Sequence, residues 1–208
     1  MKIVAVTVGT RGDVQPYVAV ARALMARGHE VTIAASEEHE GLVRGYGVGF
    51  REVGVSFRDL LRTDLGRAWL SSADSPSKYA RCVKELFVPL VRRYCEEVDA
   101  SVEGADGVAF YMLAGWAMHA AERRGLPCVA LAPWPIAPTG ELPPLAAPWL
   151  SRAPPFLRRW AGHALARLAF GAANAEHLAH RARVGLAAYR ARDPYHAVLD
   201  ARIPTVGL

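Results

Sequence analysis

Cysteine is scarce and poorly spaced for a structural role. Cys82, Cys95 and Cys128 are odd in number and form no Cys-x-x-Cys pair. That excludes a disulfide framework and a zinc knuckle as sources of stability. Long apolar runs are also missing. A membrane span needs about 18 or more consecutive apolar residues. The longest charge-free run here, Gly125–Gly140, is interrupted by four prolines. The amino-terminal apolar run Ile3–Val8 is too short for a signal-peptide core and meets Arg11 and Asp13 at once. These absences lead us to expect a cytoplasmic protein. Lysine is nearly absent as well: Lys2, Lys78 and Lys84 are the only three among 25 basic residues.

What remains fits a globular domain. The 208 residues are 52% hydrophobic and 22% charged, which argues against wholesale disorder. The formal charge of +5 is unevenly placed. Residues 1–155 hold 17 Lys and Arg against 17 Asp and Glu, whereas residues 156–208 hold 8 Arg against Glu176, Asp193 and Asp200. Neutrality over three quarters of the chain, with no recognised motif, argues against nucleic-acid binding.

Along the chain, Lys2–Val8 reads as a buried strand. Tyr17–Arg27 follows as a helix, with Pro16 in its first turn and Gly28 as its stop. Val31–Ala35 is a second strand. Ser36 can cap a helix over Glu37–Tyr46, and Val48–Val53 is a third strand. This alternation is the rhythm of a parallel sheet with crossover helices. Ser56–Ser77 reads as a loop with a short helical turn. Lys78–Val102 is helical, with a kink at Pro89. Gly107–Met112, Ala114–Arg124 and Pro127–Ala132 read as strand, helix and strand. Pro133–Pro155 holds 8 of the 14 prolines and reads as a long loop, of the kind that is either functional or disordered. Phe156–Arg192 is helical with a break near Gly171, and Ile203–Leu208 begins a last strand.

The informative stretch is the turn Gly9-Thr10-Arg11-Gly12-Asp13 between the first strand and helix. In open parallel sheets, ligands gather at the carboxyl ends of the strands. A glycine-rich turn there lets backbone approach a ligand, and the next helix start favours negative charge. Asp13 can equally be a plain helix cap. The turn is neither G-x-x-x-x-G-K-[ST] nor G-x-G-x-x-G, so neither standard phosphate fingerprint applies.

The segment VTVGTRGDVQPYVAVARALMARGHEVTIAASEEH closely resembles the start of bacterial glycosyltransferases of the two-Rossmann-domain (GT-B) type. Among these it resembles the sterol-glucosyltransferase-like and the macrolide or glycopeptide antibiotic enzymes. Weaker similarity continues through Tyr46–Val53 (YGVGFREV), Arg124–Ala132 (RGLPCVALA) and Arg183–Leu186 (RVGL). The resemblance implies an α/β fold, a Rossmann-like parallel sheet with helices on both faces, over residues 1–208 as one acceptor-binding domain.

It also implies an inverting transfer of a hexose from a UDP- or dTDP-sugar to a hydroxyl of a lipid-like, sterol or polyketide acceptor. Asp13 would be the general base, needing hydrogen-bond reach first. Thr10, Arg11 and Gly12 would lie near the donor phosphates, with Arg11 neutralising charge on the leaving diphosphate. No metal or other cofactor is implied beyond the nucleotide-sugar co-substrate.

The acceptor pocket would draw on Phe57–Ser77, Phe110–His119 and Pro133–Pro155. Trp69, Tyr111, Met112, Trp116, His119 and Trp134 are the candidate lining residues, each of which can instead pack the core. His177 and His180 read as part of a solvated helix face. The arginine-rich helices after residue 156 can pack on the sheet, meet a partner domain, or touch an anionic membrane as a peripheral contact.

The final residues Ile203–Leu208 fall about where the family's first domain finishes, so the donor-binding carboxyl-terminal domain is expected to lie outside this chain. Three possibilities stay open: the acceptor half of a longer enzyme, inactive alone; a stand-alone half pairing with a separate donor domain; and a non-catalytic binding module or auxiliary partner.

Overall fold

The computed structural model describes residues 1–72, 75–133, 138–144, 147–191, 193–201 and 203–207. Six parallel strands form one sheet: β1 (Lys2–Val6), β2 (Glu30–Ala35), β3 (Gly49–Glu52), β4 (Gly107–Tyr111), β5 (Cys128–Ala132) and β6 (Thr205–Gly207). Their order is β3-β2-β1-β4-β5-β6. The chain steps outward from β1 to β3, crosses back, and steps outward again from β4 to β6. The reversal lies between β1 and β4, which pair from Ile3 with Gly107 to Val6 with Phe110. A ligand crevice opens at such a switch point, beyond the carboxyl ends of the strands.

The strands form because they are short β-branched and alanine-rich runs that can be covered on both faces. Val4, Val6, Ile33, Val108 and Phe110 are all buried. Right-handed crossovers put α1 (Arg11–Met25) and α2 (Glu40–Gly45) on one face. They put α5 (Pro76–Ser101), α6 (Trp116–Arg124), α7 (Pro155–Phe170) and α8 (Asn174–Arg183) on the other, where α5 packs on α6, α7 and α8. Asp99 of α5 bonds Arg123 of α6 at 2.6 Å and also meets Arg124, which locks that pair of helices.

Several boundaries differ from the sequence reading. The first helix begins at Arg11, not Tyr17, so Pro16 sits inside it. Thr10 and Asp13 together close the helix start six residues earlier than the apolar spacing suggested. Ser36 caps no helix with its side chain; a 3-10 turn (Glu37–His39) leads into α2 instead. Residues 57–70 are two helices rather than a loop, α3 (Phe57–Arg62) and α4 (Asp64–Leu70). Their signals are the caps Ser56 and Thr63, whose hydroxyls accept from the amides of Asp59 and Gly66. The long carboxyl-terminal helix is broken at Gly171 as expected, but it stops at Arg183. Gly185 there has a φ of 78°. A further short helix, α9 (Pro194–Asp200), was not read from sequence; Asp193 caps it by accepting from the His196 amide.

Among the described residues, no helix is long and apolar enough to cross a membrane. Also among them, no group of three His, Cys, Asp or Glu is placed to hold a metal ion.

Candidate active site

The turn after β1 is built around one contact. Gly9 has a φ of 123°, and a Cβ placed there would lie 2.4 Å from Asp13 Oδ2. Only glycine leaves room for that carboxylate. Asp13 is the third residue of α1. Its Oδ2 accepts from the Thr10 amide at 2.8 Å and from the Thr10 hydroxyl at 3.0 Å. This is the helix-start arrangement in which a residue at the third position reaches back to the cap. The carboxylate is partly exposed, and no hydrogen bond within the described residues engages Oδ1. One oxygen is held and the other is open. The cap that the sequence allowed for Asp13 is made by Oδ2 alone and leaves Oδ1 unengaged within the described residues.

Arg11 and Gly12 occupy the first two positions of α1, and both are exposed. Amides in a helix's first turn have no acceptor inside the helix. The Arg11 guanidinium touches Gln15 at 3.4 Å and otherwise faces solvent. Thr10, Arg11, Gly12 and Asp13 are therefore together at the switch point, as their sequence spacing suggested.

Two residues that sequence reasoning missed hold this turn from below. His39 is buried, and its Nε2 lies 3.1 Å from the Gly9 carbonyl. Beside it, the Glu38 carboxylate accepts from the amides of Phe57 at 2.7 Å and Arg58 at 3.2 Å, the first two of α3. Its other oxygen meets Arg58 Nε at 3.3 Å. Glu38 thus closes the start of α3 from another element, and Glu38 with His39 joins the Gly9 turn to α3. The pair Glu38-His39 in sequence shows nothing of this, since both partners are distant. Tyr17 is a third tie: its hydroxyl donates to the Leu131 carbonyl at 3.2 Å. Burial, and then Tyr111 and Asp13 nearby, push its pKa far up, so it stays a neutral donor.

The expected acceptor-pocket residues separate into groups. Tyr111 ends the central strand β4 and Met112 follows it in a turn; they are 3% and 2% exposed. His119 is fully buried between α6 and α8. These three belong to the packed interior rather than to an open wall, because a strand bordered on both sides and a helix face covered by α8 leave no surface there. Trp116 is partly buried, stacked on Tyr94 at 4.6 Å and lying 6.3 Å from the His177 ring. Trp69 joins an aromatic cluster with Phe57 at 5.9 Å and Phe87 at 5.2 Å, where α3, α4 and α5 meet. It lies in the segment that Glu38 ties to the Gly9 turn. Trp134 lies outside the described residues.

The histidines also differ from expectation. His177 and His180 are buried, not solvated. His119 Nε2 meets His177 Nδ1 at 2.9 Å, and His119 Nδ1 meets Arg181 at 3.1 Å. Arg181 is itself buried and makes a two-pronged bond to Glu122 at 2.6 and 2.9 Å. Burial, reinforced by His180 and Arg181, lowers the His177 pKa to about 3. Burial, with His177 and then Arg181, holds His119 well below the ordinary histidine value. Both are neutral at pH 7, and the network joins α6 to α8. Part of the carboxyl-terminal arginine excess is paired within the chain: buried Arg181 faces Glu122, and exposed Arg183 pairs with Glu96 at 2.6 Å.

An open groove along the β3–α5 seam is lined by Arg51, Glu52, Glu97, Ala100, Ser101 and Glu103. It includes none of the residues at the switch point.

Comparison with known proteins gives a consistent picture. Residues 3–133 match the glycosyltransferase family 28 N-terminal domain. The chain is 34% identical over 163 residues to the sterol 3-beta-glucosyltransferase UGT80B1 of Arabidopsis thaliana, covering 73% of this chain and 26% of that protein. The solved glycotransferase of kitacinnamycin aligns with all of this chain and 45% of its own, at a TM-score of 0.61 and 19% identity. The glycosyltransferase SsfS6 from Streptomyces sp. SF2575, solved with thymidine diphosphate, aligns with 89% of this chain and 46% of its own, at a TM-score of 0.53 and 22% identity. The two structural matches establish the fold. The chain spans about a quarter of the plant relative and under half of each solved enzyme.

Proposed function

The chain belongs to the glycosyltransferase family 28 N-terminal domains, and from that premise we propose that it is the acceptor-binding half of an inverting hexosyltransferase. The observation that carries the reading is the Gly9–Asp13 turn. A carboxylate with one oxygen held and one oxygen open stands at the switch point of a parallel sheet.

In this reading the acceptor hydroxyl hydrogen-bonds to Asp13 Oδ1. Its oxygen attacks the anomeric carbon as the proton passes to the carboxylate. The bond from that carbon to the diphosphate breaks on the opposite face. Thr10 fixes the carboxylate's direction through its amide and hydroxyl, which keeps the base within reach without reorganisation. Arg11 and the free amides at the start of α1 face the side on which negative charge grows on the leaving diphosphate. They supply the positive charge in this reading, and no metal takes part.

The donor is a nucleoside-diphosphate hexose. Thymidine diphosphate in SsfS6 supports that class, and the sterol glucosyltransferase relatives support a hydrophobic hydroxylated acceptor. Most of the donor's contacts come from a second, donor-binding domain.

The test is sugar transfer from UDP- and dTDP-hexoses, with donor hydrolysis as a second readout. It is run with the chain alone and with a family donor domain supplied. Turnover that needs both partners supports the reading. Equal turnover by the chain alone contradicts the division of labour. Failure of the combined system to hydrolyse or transfer any of these donors contradicts the transferase assignment.

A further inference from the structure

Helix α7 turns large aromatic side chains toward water. Phe156 and Trp160, one helical turn apart, are 74% and 67% exposed, and Trp149 in the preceding 3-10 turn (Pro148–Arg152) is 57% exposed. Helical spacing places Phe156, Arg159, Trp160 and Arg167 on one stripe about 17 Å long. Arg158 donates to the Ser151 carbonyl at 3.1 Å, which fastens the turn carrying Trp149 to the same helix. The aromatic groups therefore stand on one braced unit.

The charge around them is uncompensated. From Leu142 to Ala175 there is no Asp or Glu, while Arg152, Arg158, Arg159 and Arg167 all fall within that stretch. None of the four has an ion-pair partner among the described residues, whereas the arginines of α5, α6 and α8 largely do. Glycine and proline contacts from the preceding loop cover another side of α7, where Gly162 meets Pro138. The aromatic stripe is left open.

Exposed Trp and Phe among unpaired guanidinium groups match the boundary of a phospholipid layer. There the rings sit at headgroup level and each guanidinium can bind phosphate in two-pronged fashion. Carboxylates that would repel the phosphates are missing from the stretch, which favours an anionic lipid surface over a mixed-charge protein face.

We propose that α7 and the Pro148–Arg152 turn form a contact surface for anionic phospholipid. Trp149, Phe156 and Trp160 enter the interface, and Arg152, Arg159 and Arg167 bind headgroup phosphates. The surface does not depend on the transferase reading, since binding requires no turnover. The loop feeding α7 leaves the carboxyl end of β5, the end of the sheet that also carries the Asp13 turn.

The test is co-sedimentation of the purified chain with phosphatidylcholine vesicles, with and without about one-third phosphatidylglycerol. The expected result at low salt is binding to the anionic vesicles that weakens as salt is raised. The variant F156S/W160S lowers the partition coefficient about tenfold or more with unchanged circular dichroism and Tm. The variant R152Q/R159Q/R167Q lowers it by a similar factor and removes the preference for phosphatidylglycerol. Absence of binding at low salt, equal binding to neutral vesicles, or wild-type binding by F156S/W160S overturns the proposal. So does light scattering that shows a dimer dissociated by F156S/W160S without vesicle binding, since a second copy would then occupy the stripe.

Discussion

Acidification should loosen the fold through the buried histidines, and the size of the effect follows from their position. His177 is buried against His119, with His180 and Arg181 close by, and its pKa falls to about 3. In the unfolded chain the same group titrates near 6.5. Between these values unfolding takes up a proton. The contribution is therefore fully present above pH 6.5 and is lost as pH falls through the window. At pH 5 the loss from His177 is about 2 kcal/mol. For a domain of this size that lowers Tm by about 4–8 °C. His119 adds to the loss in the same direction, since burial and its cationic neighbours also hold it neutral. The assay is thermal unfolding at pH 7.5 and pH 5 for the wild type and for His177→Gln, whose amide can still bond His119 Nε2. The wild type should lose Tm across that interval, and the variant should lose about 4–8 °C less. Parallel pH dependence in the two proteins would refute the assignment, as would a wild-type Tm that does not fall.

Two further substitutions test how the turn is held. Gly9→Ala puts a Cβ into Asp13 Oδ2 at a backbone angle that L-residues avoid, so it should cost about 1–3 kcal/mol and disturb the Asp13 carboxylate. Calorimetry checks the first effect, and loss of turnover in a complete enzyme checks the second. Glu38→Ala removes the acceptor for the first two amides of α3 and should cost about 1–3 kcal/mol. Hydrogen exchange should then rise in residues 57–70 before it rises in β1 or β4.

The parallel sheet was legible because its inner strands are short apolar runs with glycine or proline nearby, and β1, β2 and β4 are each followed by a helical spacing. The Gly9–Asp13 turn was legible because the chemistry is local: glycine, cap and carboxylate lie within five residues. The rest of the site is held by pairs far apart in sequence. Glu38 meets the amides of Phe57 and Arg58, and His39 meets the carbonyl of Gly9. No periodicity or composition signals such pairs. The aromatic residues expected to line an acceptor pocket show the opposite limit. Composition marks Tyr111, Met112 and His119 as suited to an apolar ligand, but the same property suits the interior, and only the covering elements decide between them. His177 and His180, three residues apart on one face, read as a solvated patch because the partner of His177 is His119, 58 residues away, and that bond is what makes its burial tolerable.

The central claim is that Asp13 takes the proton of the attacking hydroxyl. The most direct measurement is the single-turnover rate of transfer in the complete enzyme, comparing wild type with Asp13→Asn. Asparagine can still accept from the Thr10 amide, so the turn should survive with little change in Tm. The predicted result is a transfer rate lower by about 10²–10⁴-fold, with donor binding nearly unchanged. A variant that transfers sugar at the wild-type rate would contradict the claim.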